Sequence, residues 1–154
     1  MQELNLPKYE FRLKKEEGLV CIFDQIRKKY VVLNPEEWVR QHFVNFLVHE
    51  KQVPSGLIMI EKNLVYNKMN RRPDIVAYNR QGNPLLIVEC KAPEVKIGQE
   101  AFDQIVRYNA VLRVPYLIVT NGLNHYCCRM DYEHSNYKFL PDIPAYDKML
   151  KNDA

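Results

Sequence analysis

The sequence predicts one α/β domain in which a central mixed β-sheet is flanked by helices. Apolar segments with helix and strand periodicity alternate in the order helix, three strands, helix and two strands, which is typical of a layered α/β unit. No internal repeat, low-complexity tract or Gly/Ser-rich linker divides the 154 residues. A chain of this length buries a sizeable single core without disulfides or metals.

Ahead of the first helix, the chain favours an N-terminal β-hairpin or meander. Three short apolar segments, residues 9–13, 19–23 and 30–33, are separated by charged residues and Gly18. We therefore divide the chain into an N-terminal β extension, a core and a C-terminal tail with a short helix, which span residues 1–33, 34–130 and 131–154.

The first helix is predicted from residue 34 because its start signals agree with its apolar stripe. Asn34 suits the N-cap, Pro35 suits the first helical position, and two acidic residues complement the positive end of the helix dipole. The apolar side chains that follow recur at helical spacing, so one face of the helix is expected to pack on the core. They are Val39, Phe43, Phe46 and Leu47.

The rest of the core consists of predicted strands around a second helix. Residues 79–83 contain a glycine and join two apolar runs, as in a β-hairpin. Residues 54–56 break the chain after the first helix. The predicted strands span residues 57–66, 74–78, 84–90, 114–120 and 125–131, and the further helices span residues 98–112 and 143–150.

The composition permits a nucleic-acid partner without requiring one. The 22 basic and 19 acidic residues give a formal net charge of +3, which is mild. Local clusters of basic residues are more informative than the total, although solvated surface charge explains the first two equally well. The clusters are Lys14–Lys15, Arg27–Lys29 and Arg71–Arg72.

The four cysteines predict a reducing compartment. They form no C-x-x-C pair, and Cys127 and Cys128 with His125 do not supply the four ligands of a structural zinc site. The start of the chain contains no signal-peptide core, and no apolar stretch reaches the roughly 18 residues of a membrane span. We expect a cytoplasmic protein with reduced thiols and no membrane partner.

Charged residues interrupt the strand predicted at residues 84–90. Glu89 and Lys91 are two residues apart, so their side chains point to the same face of a strand. Asp74 opens the preceding strand, and the hairpin brings it near the level of Glu89. Charged groups are rarely buried unless they are paired or bound to an ion. We expect the three side chains to converge at one end of the sheet.

Two adjacent carboxylates suit a divalent cation. Alone they repel each other, whereas an ion such as Mg²⁺ or Mn²⁺ turns that repulsion into binding. Such an ion activates water and offsets charge on a phosphate, while Lys91 holds the nucleophile or stabilises the developing charge. The chemistry that fits this group is metal-dependent hydrolysis of a phosphodiester.

E-x-K alone is a weak signal, and the chain contains two partial imitations of the motif. Glu94–Lys96 also reads E-x-K but lies in a predicted loop, and Asp142 follows a proline but precedes no E-x-K strand. Only Asp74, with Glu89 and Lys91, belongs to a strand–turn–strand unit.

The two core helices offer further site residues. Glu37, or as a weaker alternative Glu36, lies on a helix that could supply a third carboxylate. In the second helix, Gln104 and Tyr108 are four residues apart and share a face that can bond to phosphate or to the carboxylates. Taken alone, Tyr108 is better interpreted as an aromatic residue at the edge of the core.

These linked motifs resemble the PD-(D/E)xK nuclease superfamily. The stretches that carry the likeness are RPDIVAYN, LLIVECKAP and QIVRY, and the likeness spans about residues 30–130. The chain looks most similar to the N-terminal nuclease domain of the restriction (R) subunit of type I restriction–modification enzymes. The resemblance implies a restriction-endonuclease-like fold, a deoxyribonuclease that depends on Mg²⁺ or Mn²⁺, and DNA as its partner.

The resemblance also implies roles for individual residues. The metal would be held by Glu37, Asp74 and Glu89, and the lysine would be catalytic. We expect the two arginines directly before the motif to contact DNA. The implied catalytic set is Asp74, Glu89, Lys91, Gln104 and Tyr108, and the expected DNA-binding set is Arg71, Arg72, Gln104 and Tyr108.

The chain departs from that family in length. R subunits carry DNA-translocating motor domains after the nuclease, and this sequence contains no G-x-x-x-x-G-K-[ST] phosphate loop. It is therefore expected to act alone, as a homodimer, or with a separate motor or specificity subunit. Two alternatives remain open: a DNA-binding or assembly module with little or no cleavage activity, and a structural ion pair of Glu89 and Lys91 in an unrelated α/β domain.

Overall fold

The computed structural model describes residues 1–61, 64–66 and 69–153, with the side chains of residues 1–61 and 72–152. It confirms the predicted α/β class, because a six-stranded mixed sheet lies between helices. In chain order the elements are β1 (Leu13–Glu16), β2 (Leu19–Asp24), β3 (Lys29–Val32), α1 (Pro35–His49), β4 (Ile58–Ile60), β5 (Leu64–Tyr66), β6 (Met69–Arg71), β7 (Ile75–Tyr78), β8 (Pro84–Cys90), α2 (Gln99–Ala110), β9 (Tyr116–Thr120), β10 (His125–Asp131), β11 (Asn136–Leu140) and α3 (Tyr146–Asp153).

The central sheet has the strand order β11-β10-β9-β8-β7-β4. β8 and β9 run parallel, as the long connection through α2 allows, and the other neighbouring pairs of this sheet are antiparallel. Residues 79–83 join β7 to β8 in the predicted hairpin, and Gly82 supplies a positive φ of 84°. The hairpin therefore lies within the sheet, directly beside its parallel pair.

Both faces of the central sheet are packed, which explains the uninterrupted apolar runs in its strands. Ile75 and Val88 belong to one apolar cluster with Phe43 of α1, and α3 adds to the same side. Ile87 belongs to a second cluster with Phe102 of α2. Alternate residues of each strand thus contact different helices, and the end of β8 lies between α1 and α2.

The start of α1 forms as its sequence predicted. The Asn34 side chain accepts a hydrogen bond from the Glu37 amide at 2.7 Å, and Pro35 takes the first helical position. The predicted apolar stripe faces the core, with three side chains fully buried and Phe46 partly buried. This cap fixes where the first turn of α1, with its two glutamates, begins.

β1, β2 and β3 form the predicted N-terminal antiparallel meander. The prediction of its first strand at residues 9–13 is wrong, because the strand begins only at Leu13. A tight turn with positive φ at Glu17 and Gly18 fixes the strands on either side of it. β2 turns Ile22 and Asp24 inward, and both are fully buried.

Further elements differ from prediction, and β6 is a strand that was not predicted. The strand predicted at residues 57–66 is not a single strand, because β4 ends at Ile60, Glu61 has a positive φ of 52°, and β5 belongs to a separate two-stranded sheet. β11 was not predicted, because all five of its side chains are at least partly exposed and give no continuous apolar run. It pairs with β10 at one edge of the central sheet.

The four cysteines are free and buried. Cys127 belongs to the apolar cluster on the α1 side of the sheet and Cys128 to the cluster on the α2 side, so the adjacent pair is divided between two cores. None of the helices in the described part of the chain has the length and apolar content needed to cross a membrane.

Candidate functional site

The β7–β8 hairpin brings Asp74 across from Glu89. Ile75 pairs with Val88, and the antiparallel register therefore aligns the preceding residue, Asp74, with Glu89. Asp74 Oδ2 accepts a hydrogen bond from the Cys90 amide at 2.7 Å, so contact with β8 continues one residue before the start of β7. This geometry confirms the expectation that Asp74 lies at the level of the E-x-K segment.

Glu89 and Lys91 continue β8 on the α2 side of the sheet. Asn109 of α2 donates hydrogen bonds from Nδ2 to Glu89 Oε1 at 3.4 Å and to the Ile105 carbonyl at 2.9 Å. The Lys91 amide donates to the Thr120 carbonyl at 2.8 Å, so the β8–β9 ladder extends past the end of β8. Both side chains are half-buried. The parallel strand pair thus fixes the backbone that carries the E-x-K residues.

The buried thiol of Cys90 senses several charged groups near the end of β8. Burial raises the pKa of Cys90, and the charges of Asp74, Glu89 and Glu36 raise it further, whereas Arg40 lowers it. Each of these groups therefore lies close enough to act on the same strand end. Asp74 is the one of these groups that bonds the Cys90 backbone directly, and Arg40 in turn bonds Asp74.

Arg40 of α1 is the principal cation of this group. Its side chain is only 7% exposed, and it donates from Nη2 to Asp74 Oδ1 and from Nη1 to Glu37 Oε1, each at 2.7 Å. Burial opposes its charge, but the hydrogen bond to Asp74 and the field of Glu37 raise the pKa of Arg40 above its ordinary value. Among the described residues, no acceptor lies in hydrogen-bond reach of its buried Nε.

The two glutamates in the first turn of α1 have different surroundings. Glu37 is 7% exposed at its side chain, and its oxygens accept bonds from Arg27 at 3.0 Å, Arg40 at 2.7 Å and Gln41 at 3.0 Å. Glu36 is 46% exposed and lies 3.5 Å from Arg40. Glu37 is therefore committed to cations and an amide, whereas Glu36 borders solvent.

Electrostatics connect Glu36 with the rest of the group. Partial burial raises the pKa of Glu36, and the negative charge of Asp74 raises it further. Arg40 and Lys91 act in the opposite direction. Glu36 thus lies within the fields of both Asp74 and Lys91, at the open side of the site.

An ion network ties the N-terminal sheet to this site. Arg27 bonds Asp24 at 2.6 Å, Glu37 at 3.0 Å and Glu61 at 3.3 Å, so the β2–β3 turn lies against the first turn of α1. Arg72 is 65% exposed and lies 3.4 Å from Glu61. The side chain of Arg71 falls outside the described residues. The network joins β2, α1 and the segment after β4.

Gln104 and Tyr108 lie on the exposed surface of α2. Tyr108 is 51% exposed, so about half of its surface is open to solvent. The neighbouring Asn109, which sequence reasoning missed, is 3% exposed and contacts Glu89. Arg40 was missed as well, although its spacing of three residues from Glu37 was a usable signal.

The carboxylates of this group are the right type of ligand for a hard divalent cation, but their spacing in the structure is less suited to one. Asp74, Glu89 and Glu36 offer carboxylate oxygens, the ligands that Mg²⁺ and Mn²⁺ prefer, and a carboxylate oxygen accepts more than one bond. Yet within residues 1–61, 64–66 and 69–153 no three His, Cys, Asp or Glu side chains are gathered closely enough to hold a metal ion. Arg40 balances the charge of Asp74 instead.

Comparison with known proteins gives a family and a fold. A sequence model of the family described as "Type I restriction enzyme R protein N terminus (HSDR_N)" matches residues 35–144. The type I restriction enzyme EcoAI endonuclease subunit of Escherichia coli is 30% identical over 73 residues, which are 47% of this chain and 9% of that subunit. The chain thus spans about a tenth of the length of this curated relative.

Two solved structures share the fold. A fragment of a putative HsdR subunit of a type I restriction enzyme from Vibrio vulnificus YJ016 superposes with a TM-score of 0.53 at 21% identity, over 77% of this chain and 25% of that one. A putative nuclease of the DUF820 group from Anabaena variabilis superposes with a TM-score of 0.50 at 11% identity, over 95% and 88%. At these identities the likeness establishes the fold alone, and it confirms the predicted restriction-endonuclease-like fold.

Proposed function

Because this chain belongs to the family of type I restriction enzyme R protein N termini, we propose that it is a nuclease domain that hydrolyses DNA phosphodiesters with Mg²⁺ or Mn²⁺. One observation carries the proposal. Asp74 stands across from Glu89 at the end of β8, with Lys91 two residues further on the same face. A purely structural site would be more stable with neutral residues at these positions.

The residues divide into roles. Asp74 and Glu89 would hold the ion, which supplies charge neutralisation at the phosphate and activation of water when it is bound. Lys91 Nζ donates to the attacking water or to a phosphate oxygen and stabilises the charge that develops there. Glu36, with its open side, is a better third carboxylate than Glu37, whose oxygens are bonded to Arg27, Arg40 and Gln41. Sequence analysis preferred Glu37, and this proposal reverses that preference.

DNA contacts follow from the same arrangement. Gln104 and Tyr108 share an exposed face of α2 next to Asn109, which contacts Glu89, and we propose that they bind the phosphate backbone or support cleavage. Arg72 is exposed and joins them in that role, and Arg71 is assigned to it from the sequence. The partners in this proposal are DNA in the cytoplasm and a second copy or a separate motor or specificity subunit.

A nicking assay tests the proposal. The wild type should convert supercoiled plasmid to open circles with Mn²⁺ or Mg²⁺, and Asp74→Ala and Lys91→Ala should each lower the rate by at least about a hundredfold, the scale of removing one electrostatic contributor. Lys96→Ala is the matched control, because Glu94–Lys96 repeats the E-x-K pattern on an exposed loop. Nicking that survives Asp74→Ala would point to a contaminant or another site.

Metal binding has a readout that is independent of cleavage. Mn²⁺ should raise the thermal midpoint of the wild type by mass action, and Asp74→Ala should abolish that shift. An equal shift in both proteins would remove Asp74 from the ion's ligands, and with it the mechanism proposed above.

A second candidate function is a DNA-binding or assembly module that does not cut. The observation that favours it is the ion pair of Arg40 with Asp74 at 2.7 Å, which balances the carboxylate without a metal. A wild type that shifts DNA in a gel, yet neither nicks it nor gains stability from Mn²⁺, would select this function.

A further inference from the structure

A second charged feature lies outside the residues that match the family, which begin at residue 35. Residues 12–32 hold six basic and three acidic side chains, a surplus equal to the +3 of the whole chain. Most of this segment is the N-terminal sheet. We define its outer face as the face of β1–β3 that carries Arg12, Lys14, Phe23 and Tyr30.

The orientation of this sheet follows from burial and pairing. Ile22 and Asp24 are fully buried on the inner face, where Asp24 accepts a hydrogen bond from Gln41 of α1 at 3.0 Å. The Phe23 amide donates to the Arg12 carbonyl at 2.9 Å, so the β1–β2 ladder extends one residue before β1. Arg12 and Lys14 therefore point the same way, about 7 Å apart along the strand.

Aromatic rings hold both cations on the outer face. The Arg12 guanidinium lies 4.0 Å from the centroid of the Phe23 ring, and Lys14 Nζ lies 4.1 Å from the centroid of Tyr30. The two rings contact each other edge-on at 5.2 Å. A long cationic side chain that is already oriented loses less entropy when it binds a partner. Arg12 is exposed and the Lys14 side chain is 42% exposed, so the outer face presents two preorganised positive charges to solvent, with Arg12 and Phe23 at the rim of a cavity that α1 also lines.

We propose that this outer face binds the phosphate backbone of duplex DNA. The inference rests on the proposed function, which makes DNA the polyanion that the chain meets, and it adds a contact surface outside the nuclease residues. Charge complementarity selects the partner, because the only carboxylate paired with Lys14 among the described residues is Glu16, at 3.4 Å in an exposed and weak ion pair. A phosphate can replace that carboxylate.

The position of the sheet supports the same partner. Arg27, in the turn that joins β2 to β3, lies 3.0 Å from Glu37 in the first turn of α1. A duplex on the outer face would therefore run close to the helix start that carries Glu36. Contacts of this kind carry no sequence information, so they position the duplex and do not select a target.

The test uses the salt dependence of binding in EDTA, where no cleavage occurs. The dissociation constant of a short fluorescent duplex of random sequence is measured by anisotropy over a series of KCl concentrations. When K is the association constant, log K falls linearly with log[salt], and each lost phosphate contact reduces the steepness of that line by about 0.9. The double variant Arg12→Gln, Lys14→Gln should therefore lose about 1 to 2 units of slope, and Arg12→Lys, Lys14→Arg should retain the wild-type slope.

The matched control is Lys15→Gln. Lys15 lies on the same strand, is exposed and pairs with Val20 on the opposite face of the sheet, so its loss should leave the slope unchanged. Thermal unfolding of every variant checks that the sheet stays folded. An unchanged slope in the double variant, an equal loss in Lys15→Gln, or a wild type that binds no duplex at low salt overturns the inference. Because no metal is present, failure of the nuclease proposal leaves this readout intact.

Discussion

The two halves of the candidate site are held in place by different means. On the α1 side, Arg40 is 7% exposed and bonds Asp74 and Glu37 at 2.7 Å each. On the α2 side, Glu89 is half-buried, and Asn109 contacts it at 3.4 Å. The α1 half is thus fixed by short, buried ion pairs, and the α2 half by strand register and a longer polar contact.

This difference separates positioning from chemistry. Asp74 is fixed at both oxygens, by Arg40 and by the Cys90 amide, so its place does not depend on a metal. A buried ion pair is weak evidence for net stability, and we interpret this one as a device that specifies a geometry. The E-x-K half leaves the side chains of Glu89 and Lys91 half-buried at the end of a strand, where solvent reaches them. Removing a group from the first half should therefore cost more folding free energy than altering the second.

The largest expected effect is that of Arg40→Met. The substitution leaves the buried carboxylates of Glu37 and Asp74 without their shared cation, and breaking a buried pair in this way costs about 3–5 kcal/mol. Urea denaturation of wild type and variant at neutral pH measures the loss. A loss below about 1 kcal/mol would contradict the view that Arg40 fixes this half of the site.

Arg72→Met is the matched control for Arg40. Arg72 also pairs with a carboxylate, that of Glu61 at 3.4 Å, but its side chain is 65% exposed. Exposed ion pairs contribute roughly 0–1 kcal/mol, so the control should change the free energy of unfolding little. Equal losses of unfolding free energy in the two variants would mean that burial does not determine how much each ion pair contributes.

The second-largest expected effect is that of Asn109→Asp, in the α2 half of the site. Asn109 is 3% exposed, and the substitution puts a carboxylate beside Glu89 and removes a donor from the Ile105 carbonyl, which should cost about 2 kcal/mol at neutral pH. Asn45→Asp is the comparison, because Asn45 Nδ2 donates to the Gln41 carbonyl at the same 2.9 Å and spacing of four residues.

A double-mutant cycle isolates the contact with Glu89. In a Glu89→Gln background the repulsion is absent, so Asn109→Asp should cost about 1 kcal/mol less there than in the wild type. A cost that is the same in both backgrounds would show that the 3.4 Å contact between Asn109 and Glu89 carries no energy.

Sequence reasoning was accurate where the signal is local and failed where it depends on packing. The cap of α1 and the β7–β8 hairpin were predicted because Asn34 and the glycine-containing turn act on neighbouring residues. The choice between Glu36 and Glu37 was not accessible, since adjacent helical residues point about 100° apart and only the packing of α1 decides which one faces the arginines. Asn109 was missed for the same reason, because its side chain matters only through its approach to β8.

The smallest expected effect is that of Glu36→Gln, and the sign of its change in unfolding free energy is informative. Partial burial and the charge of Asp74 raise the pKa of Glu36 above its unfolded value, so the folded state prefers the protonated form. The free energy by which protonated Glu36 favours the folded state is fully present below the unfolded pKa, and it is lost as pH rises through the folded pKa. Glu36→Gln should therefore stabilise the protein at pH 7 by a few tenths of a kcal/mol, given that the side chain is 46% exposed.

Denaturation at neutral pH and at about pH 3 measures this difference, which should vanish at the lower pH because Glu36 is then protonated in both states. Mn²⁺ then distinguishes Glu36 from Glu37. If Glu36 is the third carboxylate of the ion, Glu36→Gln should lose much of the thermal stabilisation that Mn²⁺ gives the wild type, although the variant is the more stable protein without metal. Destabilisation at pH 7 together with an undiminished Mn²⁺ shift would return the role to Glu37, whose arginine contacts would then have to open when the ion binds.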